Sequence, residues 1–164
     1  LVDKIPRLVL AQAENANPLY RAFKAGKDTV DAVEAKRTLA SAIQIGNPVS
    51  APRAMRALNA MNGIVEQATE QQLCDAAAQA DRTGLYVCPH TAVALAAVEK
   101  LAASGTIKDG EQVVVIATAA GLKFTEFKVR YHEGAVDEVS SHHANPPIEL
   151  PADYNAVLKT INQL

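Results

Sequence analysis

VVVIATAAGLKF, Val113 to Phe124, is the stretch on which the reading of this chain turns. Four β-branched aliphatic residues and an alanine run into Thr118, and small residues with Gly121 follow. A short, continuous apolar run bounded by turn residues is the pattern of a strand buried on both faces, as in a parallel sheet. Such a strand is expected over Val113 to Ala117, ending at a hydroxyl. Thr118 then has two readings. As a helix N-cap, its oxygen accepts a backbone N–H two or three residues on. As a ligand contact, it sits where open α/β sheets bind ligands, outside the carboxyl ends of the strands. Spacing alone favours the cap. Ala119, Ala120 and Gly121, which let something approach the backbone closely, favour the ligand.

Outward from this stretch, strand and helix alternate. Arg7 to Ala11 reads as a buried strand carried by Leu8, Val9 and Leu10. Asn17-Pro18 opens a helix that Gly26 stops. Lys27 to Arg37 is charged, lacks periodicity and reads as a surface loop. Thr38 to Ile45 is short and apolar and ends at Gly46-Asn47-Pro48. Ser50 is suited to cap a helix with Pro52 in its first turn, Met55, Leu58 and Met61 at helical spacing, and Gly63 at C′. Ile64 to Glu66 is a brief strand. Thr69-Glu-Gln-Gln72 is a capping box, and the helix after it carries Leu73, Ala76, Ala77 and Ala80 on one face and ends at Gly84. Leu85 to Cys88 reads as a third strand. Pro89-His90-Thr91 then turns into a helix capped by Thr91 that runs to Gly105. Phe124 to His132 is expected to be helical. Asn145-Pro146-Pro147 begins a tail, and Pro151 opens a final helix. Alternation with short connections predicts an α/β fold with a mostly parallel sheet flanked by helices.

The chain has 164 residues, 49% hydrophobic and 21% charged, enough for one domain with a real core. A net charge of −2 with scattered Lys and Arg predicts no nucleic-acid partner and no anionic membrane surface. Without Trp and with few aromatics, base stacking is not expected. No apolar run reaches the length that crosses a bilayer, and LVDKIPRLVL lacks the long apolar core of a secretory signal. Cys74 and Cys88 are in no metal-ligand spacing and read as buried thiols in a reducing compartment. His142-His143 has no third ligand at sensible spacing, so a solvated loop is expected and no metal site. His90 at a strand end reads as a structural histidine. Lys123 lies close in sequence to Thr118, where a lysine can form an imine, but surface lysines are far commoner. There is no dinucleotide fingerprint, phosphate-binding loop or nucleophile elbow. A chain that begins with Leu and at once with a strand reads as a fragment or a processed chain.

Several stretches together resemble one family. PRLVLAQAENANPLY, ASAIQIGNPVS, NGIVEQATEQQL, GLYVCPHTAVAL and VVVIATAAGLKFTEFKVRYHE resemble, in that order, the C-terminal half of threonine synthase, of the shorter, plant-like type. The resemblance covers about the whole chain. It implies a pyridoxal-phosphate lyase of the tryptophan-synthase-β-like fold (fold type II), which converts O-phosphohomoserine and water to threonine and phosphate. It also implies a homodimer when full length, in the cytoplasm, or in a plastid if from a plant. In the family, the T-x-x-G turn after this apolar strand sets its threonine hydroxyl on the pyridine nitrogen of the cofactor, which here is Thr118 with Gly121. Many relatives have histidine where this chain has Ala120, a difference read as local packing. The stretch Ser41 to Gly46 is expected near the cofactor face. The Schiff-base lysine, the glycine-rich phosphate loop and the asparagine at the ring's 3′ oxygen belong to upstream sequence. Any S-adenosylmethionine activator site would also depend on it. Residues 1–164 therefore read as the C-terminal part of the catalytic region, with no catalytic residue of their own, and the chain alone is expected to be inactive. Cysteate synthase or threonine dehydratase in the same fold, and a non-catalytic truncated α/β module, are the competing readings.

Overall fold

Leu10 and Val65 lie side by side in a parallel ladder on which the rest of the fold is laid. The structure, a computed structural model, describes residues 3–164. Strands β1 (Val9–Ala13) and β2 (Ile64–Ala68) pair in parallel, from Val9 opposite Ile64 to Ala13 opposite Ala68. Around them lie α1 (Pro18–Lys24), α2 (Ala51–Ala60), α3 (Glu70–Asp81), α4 (Pro89–Ala103), α5 (Thr125–His132) and α6 (Tyr154–Ile161). Alternate strand residues point to opposite faces. Leu10 and Val65 join Leu19 of α1 with Met55 and Leu58 of α2. Ala11, Ala13 and Ala68 turn the other way, into a larger core shared with α3, α4 and α5. A parallel sheet with helices on both faces is the expected α/β arrangement.

Local chemistry accounts for most of the element ends. The Thr69 hydroxyl accepts the Gln72 N–H at 3.1 Å and the Gln72 side chain accepts the Thr69 N–H at 3.0 Å, so the capping box at the head of α3 is complete. α3 and α4 pack against each other through buried Ala76, Ala77, Ala80, Ala92 and Ala96, side chains small enough for two helices to come close. Gly26, Gly84 and Gly105 take positive φ where α1, α3 and α4 stop. Residues 27–50 hold no helix or strand beyond a 3-10 turn at Ser41–Ile43, in keeping with the loop expected over Lys27 to Arg37.

Polar pairs tie the helices together. Lys128 of α5 is almost wholly buried and donates to both carboxylate oxygens of Asp81, at 2.6 and 2.8 Å, with its ammonium 4.6 Å from the Tyr86 ring centre. Tyr131 donates to Asp75 at 2.6 Å, and His142 Nδ1 lies 2.9 Å from the other oxygen of that carboxylate. Gln71 bonds the backbone of Ser140 in both directions. His142 lies in an exposed loop, as expected, and these bonds tie that loop to α3.

Several local expectations are corrected. β1 sits two residues later than read, at Val9–Ala13. Leu85 to Cys88 forms no strand, only a single antiparallel bridge from Val87 to Ala120. Val113 to Ala117 has no ladder partner among the described residues, and Val114 and Ile116 are 90% and 78% exposed. The local pattern is that of a buried strand, but a ladder needs a second backbone, and none is beside it. Ser50 stands at the N-cap of α2 without a capping bond from its side chain. The left-handed residue after α2 is Asn62, with φ 47°, not Gly63. Gly63 is needed for closeness instead: a Cβ there would lie 2.6 Å from Leu58 Cδ2. The last helix begins at Tyr154, capped by Asp153, rather than at Pro151.

Candidate functional site at the Thr118 turn

The helix after the apolar run starts late. A 3-10 turn covers Gly121–Phe124, its N-cap is Ala120, and α5 begins only at Thr125. The Thr118 side chain caps none of these. The cap reading of Thr118 is therefore corrected: its hydroxyl faces Cys88 Sγ at 3.6 Å, and its own N–H is donated to Thr91 Oγ1 at 3.2 Å. Thr118 is otherwise exposed, which leaves the free side of the hydroxyl open.

The turn is closed from below by the segment before α4. Gly121 donates its N–H to the Tyr86 carbonyl at 2.9 Å. A Cβ on Gly121 would lie 2.7 Å from Tyr86 Cδ1 and 2.8 Å from the Val87 carbonyl oxygen. The glycine is thus required by the chain's own packing, and the space beside it is filled by Tyr86 and Val87. Nothing more is free there for a ligand to take.

Cys88 is the N-cap of α4, a second correction, since Thr91 was expected in that place. Cys88 Sγ accepts the Thr91 N–H at 3.4 Å and lies 3.2 Å from Thr91 Oγ1. Pro89 follows at the first helical position. Burial alone pushes the Cys88 thiol up. The Thr91 hydroxyl and N–H and the Thr118 hydroxyl hydrogen-bond the sulfur, and together with His90 they more than offset burial and bring it down to about 6. His90 Nε2 accepts the Ala42 N–H at 2.9 Å, and its ring stacks edge-on to Phe124, with centroids 5.2 Å apart. Through His90 the Ser41–Ile43 turn is held against the head of α4. Cys74, the other cysteine, is free, buried and remote in character: burial, with the Glu70 and Asp75 carboxylates, pushes its thiol up to about 12.

Residues 2–119 match the family described as pyridoxal-phosphate dependent enzyme. The chain belongs to that family. It is 51% identical over 164 residues to threonine synthase 2, chloroplastic, of Arabidopsis thaliana, covering 99% of this chain and 32% of that protein. It is 30% identical to threonine synthase of Methanocaldococcus jannaschii, over 100% of this chain and 38% of that one. A threonine deaminase structure overlays on 59% of this chain and 35% of its own, with a TM-score of 0.48 and 25% identity. The chain spans about a third of the length of the two threonine synthases.

Within this pyridoxal-phosphate family chain, Thr118, His90, Gly121 and the Ser41–Ile43 turn converge around the N-terminus of α4. Ala120 joins the bridge to Val87. Lys123 is exposed, its N–H bonded to the Ala120 carbonyl, and no bond brings its side chain into the cluster. His142 and His143 belong to the far side of α3, and no group of three metal-ligating side chains is gathered among the described residues. No helix among those residues is long and apolar enough to cross a membrane. Sequence reasoning passed over Cys88 as a cap and the His90–Ala42 bond. The first has a local signal, a cysteine before Pro at the first helical position and Thr at the third. The second spans 48 residues and has none.

Proposed function

We propose that this chain is the C-terminal part of a threonine synthase and forms the wall of the cofactor site that meets the ring nitrogen. The complete protein then converts O-phosphohomoserine and water to threonine and phosphate, as a homodimer. The chloroplastic relative supports a plastid as its location. The observation that carries the site assignment is the Thr118 hydroxyl itself. It ends an apolar run, caps no helix and faces Cys88 Sγ, while the Thr118 backbone N–H is donated to Thr91 Oγ1 and the residue is exposed. Its described partners include no carboxylate, so the residues present fit a neutral ring nitrogen rather than a pyridinium. Pyridoxal phosphate, when bound, supplies an electron sink for charge that develops on the substrate carbons. Thr118 would donate to the ring nitrogen and leave that sink softer than a carboxylate would. Gly121, pressed on Tyr86 and Val87, fixes the turn that carries it.

The test uses the complete protein that contains this chain. Thr118→Ala should weaken cofactor retention by roughly the 0.5–1.5 kcal/mol of a net hydrogen bond and lower phosphate release from O-phosphohomoserine. Thr118→Ser should keep most of both. Thr118→Asp should raise the keto-acid by-product relative to threonine, because a carboxylate favours a protonated ring nitrogen. Wild-type retention, turnover and product ratio in the Ala and Asp variants would overturn the assignment.

A further inference from the structure

The sulfur of Cys88 is a meeting point. Thr91 Oγ1 lies 3.2 Å from it, Thr118 Oγ1 3.6 Å, and the Thr91 N–H points at it from 3.4 Å. His90, the next residue, helps to lower the thiol. The head of a fifteen-residue helix lies behind this group, and its N-terminus favours negative charge. On α5, the Lys128 ammonium, paired with Asp81, adds attraction for a thiolate. A hydroxyl has one proton to give. The Thr118 hydroxyl donates it either to the sulfur or toward its open front, and not to both.

We propose that Cys88 is a positioning residue for Thr118: its sulfur accepts a hydrogen bond from the Thr118 hydroxyl in the free protein, and that hydroxyl turns to donate instead to an unprotonated ring nitrogen, so that cofactor binding and a proton on Cys88 are linked. This rests on the assignment of Thr118 to the cofactor ring. When the Thr118 hydroxyl turns to the ring, the sulfur loses one of its three donors. The thiolate is then less favoured and takes up a proton from solvent. Cys88 thus holds Thr118 in register before binding, and its titration reports whether the hydroxyl has turned.

Carbon NMR of labelled cysteine reads the ionisation of Cys88 directly, and Cys74, which burial keeps protonated, serves as the internal standard. In this chain without cofactor, Thr118→Val should raise the Cys88 pKa by about one unit, while Thr118→Ser leaves it where the wild type has it. An unchanged pKa in the Val variant would overturn the proposal. In the complete protein, pyridoxal phosphate should raise the Cys88 pKa in the same direction. The cofactor's absorption band should shift with pH over that range, and Cys88→Ser should abolish the shift. Cofactor that binds fully without moving Cys88 would sink the linkage and leave the threonine synthase reading standing. A complete protein that takes up no cofactor would sink both.

Discussion

At the scale of single residues, the two cysteines carry shifts of opposite sign from an ordinary 9.0, and stability must follow pH accordingly. Cys88 is lowered on folding to about 6. Its thiolate contributes fully above about pH 9, and that contribution is lost as the pH falls from about 9 to about 6. Cys74 is raised on folding to about 12. Its contribution is complete below about pH 9 and is lost as the pH rises from about 9 toward 12. Each limb has a slope of at most about 1.4 kcal/mol per pH unit. Urea unfolding across this range should give a rising limb that Cys88→Ser flattens and a falling limb that Cys74→Ala flattens. A Cys88→Ser profile parallel to wild type between pH 6 and 9 would refute the thiolate assignment. The sequence left this asymmetry unreadable. Cysteine is not among the residues that commonly cap helices, and the groups that lower Cys88 include Thr118, 30 positions away.

At the scale of elements, what was legible was what is local. The Thr69 capping box, the glycine stops after α1, α3 and α4, and the alanine face of α3 each depend on residues within a turn or two of each other. The segments around Val87 and Val113 were legible only as strand-formers. Whether such a segment pairs depends on a second backbone elsewhere, and for these two segments the sole pairing among the described residues is the Val87–Ala120 bridge. In the same way, Thr118 was legible as a cap or a contact, and only the late start of α5 separates the two. The bridge makes Gly121 a sharp test of the turn. Gly121→Ala puts a Cβ against the Val87 carbonyl, a backbone atom that cannot rotate away. It should cost about 1–3 kcal/mol by overpacking. It should also pull Thr118 off Cys88, so the Cys88 pKa should rise together with the fall in melting temperature. A variant that melts like wild type would show that the turn yields easily and does not fix Thr118.

At the scale of the whole molecule, the exposed run Val113 to Ile116 is the feature least like a finished surface. Val114 and Ile116 are mostly in solvent, and their backbone is unpaired among the described residues. Unpaired, apolar, β-branched backbone is a template for another strand. The chain should therefore self-associate as its concentration rises, and sedimentation should follow it. Val114→Lys with Ile116→Lys should lower the association and leave the circular dichroism of the helices intact. Association of equal strength in the double variant would place the sticky surface elsewhere. The lone bridge between Val87 and Ala120 also has a consequence in time. Thr118 and Gly121 donate their amides to Thr91 and Tyr86, contacts that close long loops, whereas the amides from Val113 to Ala117 have no acceptor among the described residues. In deuterated water, two slow amides should stand at one end of a stretch that exchanges at once, and their rate should measure how often the turn lifts away from α4.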